Sequence, residues 1–108
     1  MEASTKIDRL LERARRDDRI LAVVLFGSRA SQEQLEASDA DICLVLVPDK
    51  YEAIELSQKK LEYLTRSDLD IHVYQQLPLY IRVRVLKEGK VLYCRDENQL
   101  YAVAFKTI

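Results

Sequence analysis

Two rhythms of apolar residues alternate along this chain. Ile7, Leu10, Leu11 and Ala14 recur at i, i+3, i+4 and i+7, with Arg9, Glu12, Arg13 and Arg16 between them. One apolar stripe on the helical period predicts an amphipathic helix, and Ser4 or Thr5 stands where its cap would be. Ile20 to Phe26 reads ILAVVLF, apolar at every position, too short for a helix and ended by Gly27. That pattern predicts a strand covered on both faces. Ser28 to Ala37 is polar and reads as a short helix, after which Ala40 to Val47 repeats the doubly apolar strand pattern until Pro48 stops it.

Beyond Pro48 the helical period returns. Asp49 to Arg66 carries Tyr51, Ile54, Leu61 and Leu64 at helical spacing, and a third strand is predicted over Leu69 to Tyr74. Leu77 to Lys87 fits two patterns, since Ile81-Arg82-Val83-Arg84-Val85 alternates like a half-exposed strand. Pro78 at a first-turn position, the spacing of Leu79, Val83 and Leu86, and the stop at Gly89 favour a helix. Lys90 to Cys94 reads as a short strand and Glu97 to Ile108 as a last helix, with Leu100, Tyr101, Ala104, Phe105 and Ile108 on one side. Strands interleaved with helices imply a sheet with helices packed on it.

Composition narrows the class. The 108 residues predict one domain with one core, and 48 % apolar with 32 % charged residues predicts a folded chain. Seventeen Lys and Arg against eighteen Asp and Glu leave a formal charge of −1, which disfavours a general nucleic-acid coat, so no direct nucleic-acid binding is expected. No apolar run approaches 18 residues and the first segment has no apolar signal region, so the expectation is a cytoplasmic protein without membrane insertion. Cys43 and Cys94 have no CxxC partner and read as two reduced, packed thiols.

The chemistry concentrates where the polar segment meets the second strand. Asp39 and Asp41 stand at the mouth of that apolar strand, on the same face and roughly 6.5–7 Å apart along it. A carboxylate there is costly unless it is wet, paired or bound to a cation. Such a pair can hold Mg²⁺, which takes a few carboxylate oxygens together with water and phosphate. Gly27-Ser28 closes the neighbouring strand, where a glycine lets a phosphate approach the backbone and the following N–H groups and hydroxyl can donate to it. Asp70, at the mouth of the third strand, is the candidate third acid of a two-metal site, and Asp68 reads as a loop residue. His72 shares the face of Asp70 and reads as a structural residue. Arg29, Arg82 and Arg84 could reach a triphosphate but read first as solvated side chains.

Taken together, GSRASQEQLEASDAD (Gly-Ser, ten residues, Asp-x-Asp) with Asp70 on a later strand resembles the minimal nucleotidyltransferases of the DNA polymerase β superfamily. LPLYIRVRVLKEGKVLY and the terminal helix are also similar to these small proteins. The resemblance implies an α+β fold, a mixed sheet flanked by helices, and supports a helix at Leu77 to Lys87. It makes Gly27 and Ser28 the nucleotide-phosphate contact, Asp39 and Asp41 the metal ligands, and Asp70 the third metal-side acid and activator of the acceptor hydroxyl; Arg29, next in the loop, is counted with the nucleotide-binding residues. ATP as substrate and two Mg²⁺ ions are implied with them. Where relatives often have a further glycine, this loop runs Arg29-Ala30-Ser31-Gln32.

Minimal members are similar to the antitoxin half of toxin–antitoxin pairs whose partner is a helical HEPN-domain ribonuclease. The resemblance therefore implies transfer of AMP from ATP to a hydroxyl of that partner, a tyrosine. Two alternatives stand beside it: a binding module that neutralises its partner by contact alone, and an adenylyltransferase acting on a small molecule held by a separate subunit. The apolar face of the last helix, with Tyr101, Phe105 and Ile108 at its end, is expected to contribute to a partner surface or to a homodimer.

Overall fold

The computed structural model describes residues 2–26, 41–65 and 70–107, with the side chains of residues 7–26, 41–65 and 70–106. Helix α1 spans Glu2–Arg16, β1 Ile20–Phe26, β2 Asp41–Leu46, α2 Ala53–Leu64, β3 Asp70–Val73, α3 Leu79–Glu88, β4 Lys90–Cys94 and α4 Glu97–Thr107. The four strands form one mixed sheet in the order β3-β2-β1-β4, as an α+β fold requires. β1 runs antiparallel to both β2 and β4, while β2 and β3 are parallel and joined by α2 as a crossover.

Burial explains why β1 and β2 are apolar without alternation. Ile20, Val23, Leu25, Ile42, Leu44 and Leu46 face Leu10, Ala14, Leu56 and Tyr63, so α1 and α2 cover one side of the sheet. Leu21, Val24, Phe26, Cys43 and Val45 face Val85, Leu100 and Val103, so α3 and α4 cover the other. Every residue of β1 is buried, and only Asp41 of β2 is partly exposed. Cys43 is among the wholly buried residues and Cys94 half-buried, both as free thiols.

Several expectations are revised at element level. Helix α1 already runs at Glu2, so Ser4 and Thr5 fall within it and do not cap it. Helix α2 begins at Ala53, not Asp49, because Glu52 is its cap and Glu55 reaches back to the Glu52 N–H at 3.4 Å. Tyr51 packs from the preceding loop, its hydroxyl donating to the Val47 carbonyl at 2.6 Å. Ile54 and Leu61, predicted to face the core, are 62 % and 61 % exposed. The inward stripe is Leu56, Lys59 and Tyr63, with Leu64, as expected from the spacing, partly buried beside it. A lysine in the middle of it concealed the period, and it is tolerated because its ammonium meets Asp17 Oδ2 at 2.8 Å. The third strand ends at Val73, and Tyr74–Gln76 form a 3₁₀ turn that buries Tyr74 on the opposite side. Pro78 caps α3 from just outside its first turn.

Gly89 ends α3 with ordinary backbone angles, φ −72° and ψ 150°, so its need for glycine is steric. A Cβ there would run into the Val85 carbonyl oxygen and Val24 Cγ1. Among the described residues no helix is long and apolar enough to cross a membrane.

Candidate active site

Strand pairing brings three strand ends to one end of the sheet. Phe26, the last residue of β1, is the antiparallel partner of Asp41, and Asp41 is the parallel partner of Asp70. One step further in, Cys43 pairs with His72. Because side chains alternate, the burial of Ile42, Ile71 and Val73 against α1 and α2 turns Asp41, Asp70 and His72 to the other face. Phe26 lies on that face and meets the His72 ring edge-on, with centroids 5.5 Å apart and planes at 68°.

One donor atom from each of Asp41, Asp70 and His72 lies within 4.8 Å of the other two. His72 Nε2 is 3.3 Å from Asp70 Oδ2 and 3.7 Å from Asp41 Oδ1. The cluster is open on one side, since the Asp70 side chain is 58 % exposed against 32 % for Asp41 and 28 % for His72. Partial burial and then the neighbouring Asp70 push the Asp41 carboxyl above its ordinary range, and His72 pulls it part of the way back. The three donor atoms together form a group with the spacing to hold a metal ion. A groove of about 500 Å³ leads away from His72 along the outer edge of β3, lined by Leu56, Lys60, Val73, Gln75, Gln76 and Leu77.

Of the site residues expected from sequence, Asp41 and Asp70 are brought side by side. Gly27, Ser28, Arg29, Asp39, the polar segment Ser28 to Ala37 and Asp68 lie outside the described residues. His72 was read as structural, yet it shares the cluster. The period-2 spacing from Asp70 put it on the same face, and the register of β2 and β3 sets it beside both acids. Arg82 is pinned, not solvated: its Nη2 donates to the Gln75 carbonyl at 2.9 Å and its guanidinium lies 5.6 Å from the Tyr74 ring centroid. Arg84 is exposed and paired with Glu88 at 3.0 Å, as a solvated side chain would be. Burial pushes the Cys43 thiol up to about 12, which removes it as a nucleophile.

Known proteins resemble this chain in sequence and in fold. The chain is 35 % identical over 82 residues to a Methanocaldococcus jannaschii protein provisionally named a protein adenylyltransferase, covering 76 % of this chain and 62 % of that one. It thus spans less than two thirds of the relative's length. A chain of a toxin–antitoxin crystal structure with AMP-PNP superposes with a TM-score of 0.61 at 26 % identity, over 95 % of this chain and 82 % of the other. A chain of the Shewanella oneidensis complex of a tri-AMPylated HEPN toxin with an MNT antitoxin has a TM-score of 0.61 at 22 % identity, over 97 % and 80 %, a likeness of fold. The model of the family described as polymerase beta, nucleotidyltransferase matches residues 6–98. With Asp41 and Asp70 in register at the end of a mixed sheet, and with that match across most of its length, this chain belongs to the polymerase β nucleotidyltransferase family.

Proposed function

We propose that the protein transfers AMP from ATP to a hydroxyl of a HEPN-domain partner, a tyrosine, and so acts as its antitoxin, with the 108 residues working as one catalytic unit. The observation that carries the reading is the register of Phe26, Asp41 and Asp70. It sets two carboxylates beside the point where the chain enters Gly27-Ser28. The toxin–antitoxin neighbour holding AMP-PNP and the relative named for protein adenylylation support the same chemistry.

In this reading the acceptor oxygen attacks the α-phosphorus of ATP. The bond from that phosphorus to the oxygen bridging the β-phosphate breaks, and pyrophosphate leaves. Asp70, the more exposed acid, accepts the acceptor proton. Gly27 and Ser28 present backbone N–H groups and a hydroxyl to the triphosphate, and Arg29 adds charge. The donor set fits Mg²⁺: Asp41 and Asp70 offer hard oxygen ligands on one face, and Asp39, two residues before Asp41, would add a third. Bound there, Mg²⁺ would neutralise charge on the triphosphate. A cytoplasmic setting accords with ATP as substrate and with two free thiols.

Labelled ATP tests the transfer. With the HEPN partner and Mg²⁺ present, label at the α-phosphate is expected on the partner and label at the γ-phosphate is not. Partner neutralised without any α-label would replace this reading by inhibition through contact alone.

A further inference from the structure

Among the described residues of the acidic cluster, His72 offers the nitrogen donor. Its Nε2 stands 3.3 Å from Asp70 Oδ2 and 3.7 Å from Asp41 Oδ1. Both separations exceed the roughly 2.7–2.9 Å of a charge-assisted N–H···O bond, so the ring is seated tightly on neither acid. Neighbouring ligands that each sit about 2.1 Å from one cation stand about 3 Å apart, a spacing that Nε2 and Asp70 Oδ2 approach and that Nε2 and Asp41 Oδ1 exceed, so the cluster would close slightly around an ion. The ring is also held in place. His72 lies between the buried Ile71 and Val73 on β3, and Phe26 braces it edge-on at 5.5 Å.

On the reading of the site given above, we infer that His72 Nε2 is itself a ligand of the divalent cation shared with Asp41 and Asp70, and that it shifts this site from Mg²⁺ toward Mn²⁺. Imidazole suits transition metals, whereas Mg²⁺ keeps oxygen ligands, so one nitrogen in the set favours the softer ion. Ligation requires a neutral ring with its proton on Nδ1, leaving the Nε2 lone pair for the metal. A ring serving only as a positively charged brace between two acids would have no lone pair to give.

Pulsed electron paramagnetic resonance on the full-length protein titrated with Mn²⁺, without nucleotide or partner, decides the matter independently of turnover. Modulation from a coordinated ¹⁴N is expected in the wild type and should vanish in His72→Gln. In competition with Mg²⁺, the same substitution should lower the preference for Mn²⁺ by about tenfold or more. Mn²⁺ that binds, is lost in Asp41→Asn, and shows no ¹⁴N modulation in the wild type would overturn the role of His72 while leaving the metal site standing. A wild-type protein that binds no Mn²⁺ at millimolar concentration would overturn the metal site itself and His72 with it.

Discussion

Away from the cluster, Asp17 ties the loop after α1 to α2. Its Oδ2 accepts from Lys59 Nζ and from the Tyr63 hydroxyl, both at 2.8 Å, and its Oδ1 accepts from the Arg19 N–H at 3.0 Å. Burial alone would raise its pKa, but the hydrogen bonds from Lys59, Tyr63 and Arg19 outweigh it and hold the carboxyl below its ordinary value. Between the two values the folded state binds fewer protons than the unfolded one. The contribution is therefore complete above the ordinary carboxylate value and is lost as pH falls through the lower folded value. Asp17→Asn should cost roughly 1.5–3 kcal/mol at pH 7, and the gap to wild type should narrow in acid; equal denaturation midpoints at pH 7 would contradict it. Ser28 lies outside the described residues, so its test is functional. Ser28→Ala should weaken ATP binding by roughly 1.5–3 kcal/mol, the value of a hydrogen bond to a charged group. Calorimetry that finds normal affinity with a lowered melting temperature would make Ser28 a helix cap instead.

Elements differ in how openly the sequence states them. β1 and β2 were legible because both faces are covered, and a short run without alternation admits few other structures. The inward face of α2 was legible only at Leu64, since Lys59 interrupts the stripe and its partner Asp17 is 42 residues away. The steric role of Gly89 was hidden in the same way, because the obstructing Val24 belongs to another element. Gly89→Ala should destabilise by roughly 1–3 kcal/mol through overpacking against Val24 and Val85, read from chemical denaturation; an unchanged midpoint would mean that the α3–β4 corner yields freely. Helix α4 divides its apolar residues. Leu100 and Val103 pack on the sheet, while Tyr101 is 66 % and Phe105 85 % exposed. Truncation after Leu100 would remove Val103 from the core as well, so a double substitution tests the partner surface more cleanly. Tyr101→Ser with Phe105→Ser should reduce copurification of the HEPN partner and leave the melting temperature nearly unchanged. Undiminished copurification would assign that face no part in binding.

Over the whole molecule, the mixed sheet sets the site. An antiparallel turn-back from β1 to β2 and a parallel crossover from β2 to β3 carry Phe26, Asp41 and Asp70 to one sheet end from distant points in the sequence. Asp41 and Asp70 could be singled out beforehand because acids at the mouths of apolar strands are costly without a task. His72 could not be separated from an ordinary strand residue until the register put it beside them. If the acids at this sheet end catalyse adenylylation, intact mass spectrometry of the proposed HEPN partner after coexpression reads it out. Wild type should add the mass of one or more adenylyl groups to the partner. Asp39→Asn with Asp41→Asn should add none, although the variant folds and melts at the same or a slightly higher temperature once like charges are relieved. A partner that is adenylylated equally by the double variant, or one that is neutralised by wild type with its mass unchanged, would contradict the account.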